Sequence, residues 1–337
     1  MKFILIMVLA ASLLSFGGCE SDIVPMHENE IENESNMIPL PWEAPETEEQ
    51  QPEESLFAFE FEGYDQLMNR VYATVGNREL RFDIFFPTEQ VFERTPLVVG
   101  FHGGGWMAGH RAELTSELAP IIAELRANGY AFATVEYRFA TPPSVVFPAP
   151  FDDAMAFMDY IIENAALYNV DTGNIGVIGY SAGAHLAMLI AYATDFDIRY
   201  CISFAGPTKM YGDDPANYPP ATMHMVVNLF GGVYDNLQDL YRSGSPFFYL
   251  EYPQGDGQEH RDVPLLLVHD RTDPVVPFSQ AEIMHEKLTS LGTHSELLEL
   301  RGVGHDINFN LNRTNMADRE ENIDAILNFI YKFHKNH

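Results

Sequence analysis

The sequence predicts an α/β fold in which a mainly parallel central sheet is covered by helices. Three observations predict it. From residue 70 onward, short runs rich in Val, Ile and Phe alternate with longer helix-patterned stretches. A G-x-S-x-G pentapeptide, Gly179-Tyr180-Ser181-Ala182-Gly183, stands where one such run meets a helical pattern. With 337 residues at 46% apolar content the chain can bury a large core, which excludes a peptide, a coiled coil and a wholly disordered chain.

The first segment is not part of that fold. Met1-Lys2 precedes an apolar run from Phe3 to Leu14 that is too short to span a bilayer and has the layout of a secretory signal. Phe16-Gly17-Gly18-Cys19 resembles a bacterial lipoprotein cleavage box, with Phe16 where that pattern prefers Leu. Residues 1–18 therefore read as a lipoprotein-type signal peptide and Cys19 as the lipidated new N-terminus, which places the protein outside the cytoplasm on a bacterial membrane. The alternative is an ordinary cut after Gly17, where Ser15 and Gly17 fill the small-residue positions. No Lys or Arg lies between Lys2 and Arg70, whereas residues 19–69 carry 15 acids. With Pro39, Pro41, Pro45 and Pro52, residues 19–55 read as an acidic, disordered tether. The folded domain is expected over 56–337.

Within it, Val71–Val75 and Leu80–Phe86, joined around Gly76-Asn77, predict an opening hairpin. Strands are expected at Leu97–His102, Tyr130–Glu136, Asn174–Gly179, Tyr200–Phe204, Pro264–His269 and Ser295–Leu300. Helices are expected at Leu114–Ala127, Pro150–Leu167, Ala182–Thr194, Phe278–Leu291 and Asp318–His334. Residues 206–262 form a Gly-, Pro- and Tyr-rich excursion, with one candidate helix near Met223–Phe230; a loop of this length predicts a cover or lid. Cys201, inside an apolar run, is assigned to the core, and with Cys19 as its only companion no disulfide framework exists.

Chemistry concentrates at two glycine-rich turns. The context of Ser181, after Ile175-Gly176-Val177-Ile178 and before an apolar helix, makes the pentapeptide a nucleophile elbow: small residues two before and two after allow a sharp turn, and the helix start supplies oriented amides. His102-Gly103-Gly104-Gly105-Trp106 follows another strand, and its bare backbone can bring N–H groups against an oxyanion. The same stretch also fits a loose dinucleotide pattern from Gly103 to Ala108, with Glu136 as ribose partner, but that reading leaves the serine motif unexplained. A serine hydroxyl needs a histidine base and a carboxylate that fixes its tautomer. In the chain order Ser, Asp, His, the glycine-flanked His305 and Asp273, past the penultimate strand, fill those places.

On these motifs, together with Glu136-Tyr137-Arg138, Phe147-Pro148-Ala149-Pro150-Phe151-Asp152-Asp153 and Val170-Asp171, residues 70–337 resemble the α/β-hydrolase superfamily. The likeness is to the branch with an H-G-G-G-W oxyanion motif, related to hormone-sensitive-lipase-like carboxylesterases, acetyl and feruloyl esterases and kynurenine formamidase. The resemblance implies Ser181 as nucleophile, His305 as general base and acid, Asp273 as orienting acid, and an oxyanion hole from the N–H groups of Gly103, Gly104 and Ala182. Asp270 stands where the family usually has glycine and is the second candidate for the acid.

The remaining polar residues receive structural readings: His102 supports the glycine loop, His185 packs one helical turn after the serine, and Arg138 pairs with Asp152 or Asp153. Trp106 and the tyrosines of the excursion either line a pocket or simply pack. His260, His269 and His294 lack metal-ligand spacing, and neither a cofactor nor a metal is expected. The net charge of -30 argues against nucleic acid. The implied activity is an exported serine carboxylesterase acting on small esters or esterified carbohydrates, with no protein partner and membrane contact only through an N-terminal lipid. An amidase, either a formamidase or a serine peptidase, and a non-catalytic binding module on the same scaffold are the alternatives.

Overall fold

The strand β1 (Gln66–Val75) folds back antiparallel on β2 (Arg78–Phe85), which in turn pairs antiparallel with β4 (Ala131–Val135). From there the sheet is parallel through β3 (Thr95–Phe101), β5 (Val170–Tyr180), β6 (Ile198–Phe204), β7 (Leu265–Asp270) and β8 (Ser295–Leu300), in the order β1-β2-β4-β3-β5-β6-β7-β8. This computed structural model describes residues 65–212, 218–252, 260–310 and 318–334. The expected signal peptide (1–18) and tether (19–55), with the lipidation expected at Cys19, lie outside the described residues.

Continuous apolar runs make these strands legible because helices cover both faces of the parallel part: every residue of β3, β4 and β7 is buried. One face carries α3 (Ala149–Glu163), α4 (Ala182–Ala193) and α8 (Ser279–Leu291), packed through residues such as Phe157, Leu186 and Met284. The other carries α1 (Arg111–Glu117), α2 (Ala119–Ala127) and α9 (Arg319–Lys332), packed through Leu114, Ile121 and Ile326. Cys201 is wholly buried in the sheet, as its apolar surroundings in the sequence imply.

Two expectations need correction. The helix expected over Leu114–Ala127 is two helices, broken at Leu118. Pro120 has no N–H to give to the preceding turn and its ring would crowd the carbonyl four residues back, so the first helix stops and the proline takes a first-turn position in the second. Upstream, α1 starts at Arg111 because the His110 side chain accepts from the Ala112 amide and Glu113 caps the His110 amide in return.

The excursion is also more ordered than its composition suggests. It holds α5 (Pro220–Phe230), α6 (Gln238–Ser243) and α7 (Phe248–Glu251), of which the sequence pattern predicts only α5. The other two, at 6 and 4 residues, are too short to leave a periodic trace. Aromatic packing compensates for their length: Phe230 stacks on Tyr241 of α6 at 4.0 Å, centroid to centroid, and Phe248 of α7 meets Tyr211 edge to face at 6.1 Å. The Thr222 hydroxyl donates to the Val275 carbonyl at 2.7 Å, and the Thr208 and Lys209 amides both donate to the Gln280 side chain. These bonds tie the cover to the loop after β7 and to α8.

Candidate active site

β5 ends at Tyr180 and α4 begins at Ala182, which leaves one residue for the reversal. That residue, Ser181, sits at φ 53° and ψ -117°, a strained turn for a side chain with a Cβ. The flanking glycines are a matter of space. A Cβ on Gly179 would come within 2.2 Å of the Gly183 carbonyl oxygen, and one on Gly183 within 2.0 Å of the Phe101 carbonyl oxygen. The turn is held by backbone bonds, Ser181 N–H to Phe204 O at 2.8 Å and His185 N–H to Ser181 O at 3.1 Å.

The Ser181 hydroxyl donates to His305 Nε2 at 3.0 Å, and His305 Nδ1–H donates to Asp273 Oδ2 at 2.7 Å. The structure thus brings together all three residues singled out for this chemistry, although Ser181 and His305 are 124 positions apart. The same acid oxygen accepts from a second imidazole, His269 Nε2, at 3.1 Å. Its other oxygen accepts from the Val275 and Val276 amides at 2.7 and 3.0 Å. Burial by itself would raise the Asp273 carboxyl, but the hydrogen bonds from His269 and His305, the His305 charge and the Val275 amide outweigh it and hold the group well below the ordinary carboxylate range. At neutral pH Asp273 is therefore ionised and serves only as an acceptor.

Asp270 does not share that position. Its Oδ1 accepts from the Thr272 amide and hydroxyl, both at 2.8 Å, and its Oδ2 accepts from the Val303 and Gly304 amides at 2.8 and 3.0 Å. It braces the turn from Val303 that leads into His305.

Gly103 and Gly104 line a cavity of about 440 Å³ that also exposes Ser181 and His305. Gly104 adopts φ 119°, and a Cβ there would meet the Ala108 carbonyl oxygen at 2.0 Å, so the backbone can approach the cavity only without a side chain. Ala182 is the first residue of α4, where amides have no intrahelical acceptor. The dinucleotide reading fails at its acid: Glu136 is engaged with Arg78 at 3.1 Å and Arg111 at 3.4 Å. Trp106 is 2% exposed and donates through Nε1 to His185 Nδ1 at 3.2 Å, while His185 Nε2–H donates to the Gly244 carbonyl at 2.6 Å. Both residues therefore pack between the glycine loop and the cover. Among the described residues, the cover contributes Met225 to the cavity and none of its tyrosines. Arg138 pairs with Asp153 at 2.8 Å, the structural bridge expected of it.

Sequence reasoning missed several residues of the site, among them Glu113 and Glu117 of α1, which line the cavity. Tyr180 lines the cavity and its hydroxyl donates to the His305 carbonyl at 2.7 Å, steadying His305 from the elbow itself. Met225 faces the cavity from α5, and His269 touches the acid. The one signal in the sequence is adjacency, of Tyr180 to the serine and of His269 to the end of a strand.

Two buried imidazoles carry a pH consequence. Burial pushes His102 and His185 down to about 4, so both are neutral in the folded protein at pH values where an unfolded histidine, near 6.5, is charged. As pH falls from about 6.5 towards about 4 the unfolded chain binds more protons than the folded one, and stability falls by up to roughly 3 kcal/mol for each group. Thermal unfolding scanned at pH 7, 5.5 and 4 should show the midpoint dropping across this window; a flat midpoint would contradict the burial of these rings.

Fold and site together define an α/β hydrolase with a serine elbow, a glycine-loop strand end and a histidine-acid relay. The chain belongs to the BD-FAE family, whose model matches residues 82–288. It is 25% identical to the esterase LipQ of Mycobacterium tuberculosis over 64% of this chain and 51% of that protein. It is 31% identical to an esterase of Gibberella moniliformis over 62% of this chain and 66% of that protein. The chain spans about half or less of the length of the first curated relatives it matches. Among solved structures, Thermogutta terrifontis esterase 2 phosphonylated by sarin shares the fold at a TM-score of 0.65 and 20% identity, over 82% of this chain and 98% of that one.

Proposed function

We propose that this protein is an exported serine carboxylesterase that works through an acyl-enzyme on Ser181. The observation that carries the reading is the continuous relay from the Ser181 hydroxyl to His305 and Asp273 at the floor of an open cavity. His305 takes the hydroxyl proton as Ser181 attacks the ester carbonyl. The N–H groups of Gly103, Gly104 and Ala182 then hold the oxyanion. The imidazolium gives its proton to the leaving alcohol, and water, activated by the same ring, releases the acid. Esterases among the relatives support the reaction class.

The favoured substrate is a small acyl group, acetyl or hydroxycinnamoyl, on a carbohydrate. Met225 and Tyr180 offer apolar surface, and Glu113 and Glu117 on α1 place carboxylates on the cavity wall, where they can accept hydrogen bonds from sugar hydroxyls. Lipidation of Cys19 after removal of residues 1–18 would hold the enzyme beside polymeric substrate, since the thioether-linked diacylglyceryl and the N-acyl chain together exceed what one chain can anchor.

The test is a substrate panel of short and long p-nitrophenyl esters, acetylated xylan, methyl ferulate, N-formylkynurenine and peptide anilides, together with mass spectrometry of the mature N-terminus. Turnover of short esters and of acetylated or feruloylated substrates is expected, with a lipid mass on Cys19. Turnover of the formamide or the anilides alone would replace the esterase reading by an amidase. An unmodified start at Gly18 would mean a protein that is secreted free.

A further inference from the structure

We propose that His269, which the relay itself does not use, is a positioning residue that locks the Asp273 carboxylate in the orientation His305 requires. This rests on the reading of Asp273 as the acid of a serine esterase. His269 is 1% exposed and is the penultimate residue of β7, so its ring direction is set by the sheet. Its Nε2 lies 3.0 Å from the Val276 carbonyl oxygen, which can only accept, so that nitrogen carries a proton. The same N–H reaches Asp273 Oδ2 at 3.1 Å.

The result is a closed ring of bonds. Val276 holds Asp273 Oδ1 through its amide and His269 through its carbonyl, and His269 returns to Asp273 Oδ2. A carboxylate oxygen in the plane of its group has two lone-pair directions. On Oδ2 one is used by His305 Nδ1 and the other by His269, so rotation of the carboxylate would break bonds at both ends. Without His269 the two amides still hold Oδ1, but Oδ2 loses its second donor and can swing away from the line to His305. The Phe278 ring, centroid to centroid 5.6 Å from the imidazole and steeply inclined to it at 71°, packs against His269 and resists its turning aside. The last two residues of β7 thus have complementary roles, since His269 holds the acid while Asp270 holds the turn that carries the base.

The experiment compares His269→Gln with His269→Met in the full-length processed protein, since the two side chains match in length and differ in the N–H donor. For Met, kcat on p-nitrophenyl acetate should fall about 10- to 100-fold with KM unchanged, and Gln should recover most of the loss. The far-downfield proton resonance of the His305–Asp273 bond should shift in the Met variant and return with Gln. If His269→Met does not fold, His269→Asn serves in its place, because its amide is too short to reach the acid. Wild-type kcat in the Met or Asn variant would overturn the proposal. Equal losses in Gln and Met that track a lowered melting temperature, with the resonance unmoved, would also overturn it, leaving only a packing role. Failure of the underlying reading is separate: it would show as ester turnover insensitive to Ser181 in the otherwise unaltered protein.

Discussion

Ser181→Ala is expected to lower ester turnover by on the order of a million-fold and to abolish labelling by a fluorophosphonate probe. The loss should be purely chemical. Both bonds that hold the elbow, to the Phe204 carbonyl and from the His185 amide, belong to the Ser181 backbone and survive the substitution. Alanine has the same Cβ and meets the positive φ with comparable strain. The melting temperature of the variant should therefore stay within a few degrees of the parent. Labelling retained in the variant would show that another residue is the nucleophile.

Asp273→Asn should cost on the order of ten-thousand-fold in turnover. The surroundings of the acid decide which way the amide would face. The Val275 and Val276 amides demand an acceptor and select the Asn oxygen for the Oδ1 position. The NH₂ group then falls where His305 Nδ1–H and His269 Nε2–H both donate. His269 cannot change tautomer without losing the Val276 carbonyl, so His305 is the ring that yields. With its proton moved to Nε2 it can no longer accept from Ser181. Asp270→Asn should cost far less, because its partners are the Thr272 side chain and three amides, and an Asn oxygen can still serve part of that set. Parallel kinetics of the two variants check the assignment; a more damaged Asp270→Asn enzyme would exchange their roles.

Much of this arrangement is legible in the sequence because it is written in local signals. The strands on the parallel side announce themselves through runs such as Leu97–Phe101, which must be apolar on both faces. The elbow combines a strand, two glycines without room for a Cβ and a helix start, all within adjacent residues. What escapes is of two kinds. Short helices such as α6 and α7 are held by ring contacts, Phe230 on Tyr241 for α6 and Tyr211 against Phe248 for α7, a tertiary cause with no periodic trace. The break between α1 and α2 is spelled by Pro120, yet the apolar spacing on either side runs on through it and masks a local signal. His269 belongs with the tertiary causes. Its partner lies four residues ahead, and the meaning of that spacing depends on how the chain turns after β7, which the sequence alone does not specify.

The order in which the sheet is laid down has a consequence for how activity is acquired. Each parallel neighbour from β5 to β8 must be reached by a crossover, so Ser181, Asp273 and His305 are delivered by three separate strands, β5, β7 and β8, rather than by one local turn. Contacts this distant in sequence close slowly, because the intervening chain must be ordered before they form. A folding intermediate that contains the elbow but has not docked β8 holds Ser181 without its partner. Catalytic competence should therefore arrive in a single late step, when the last third of the chain closes on the sheet, and a nascent polypeptide stays chemically silent until then.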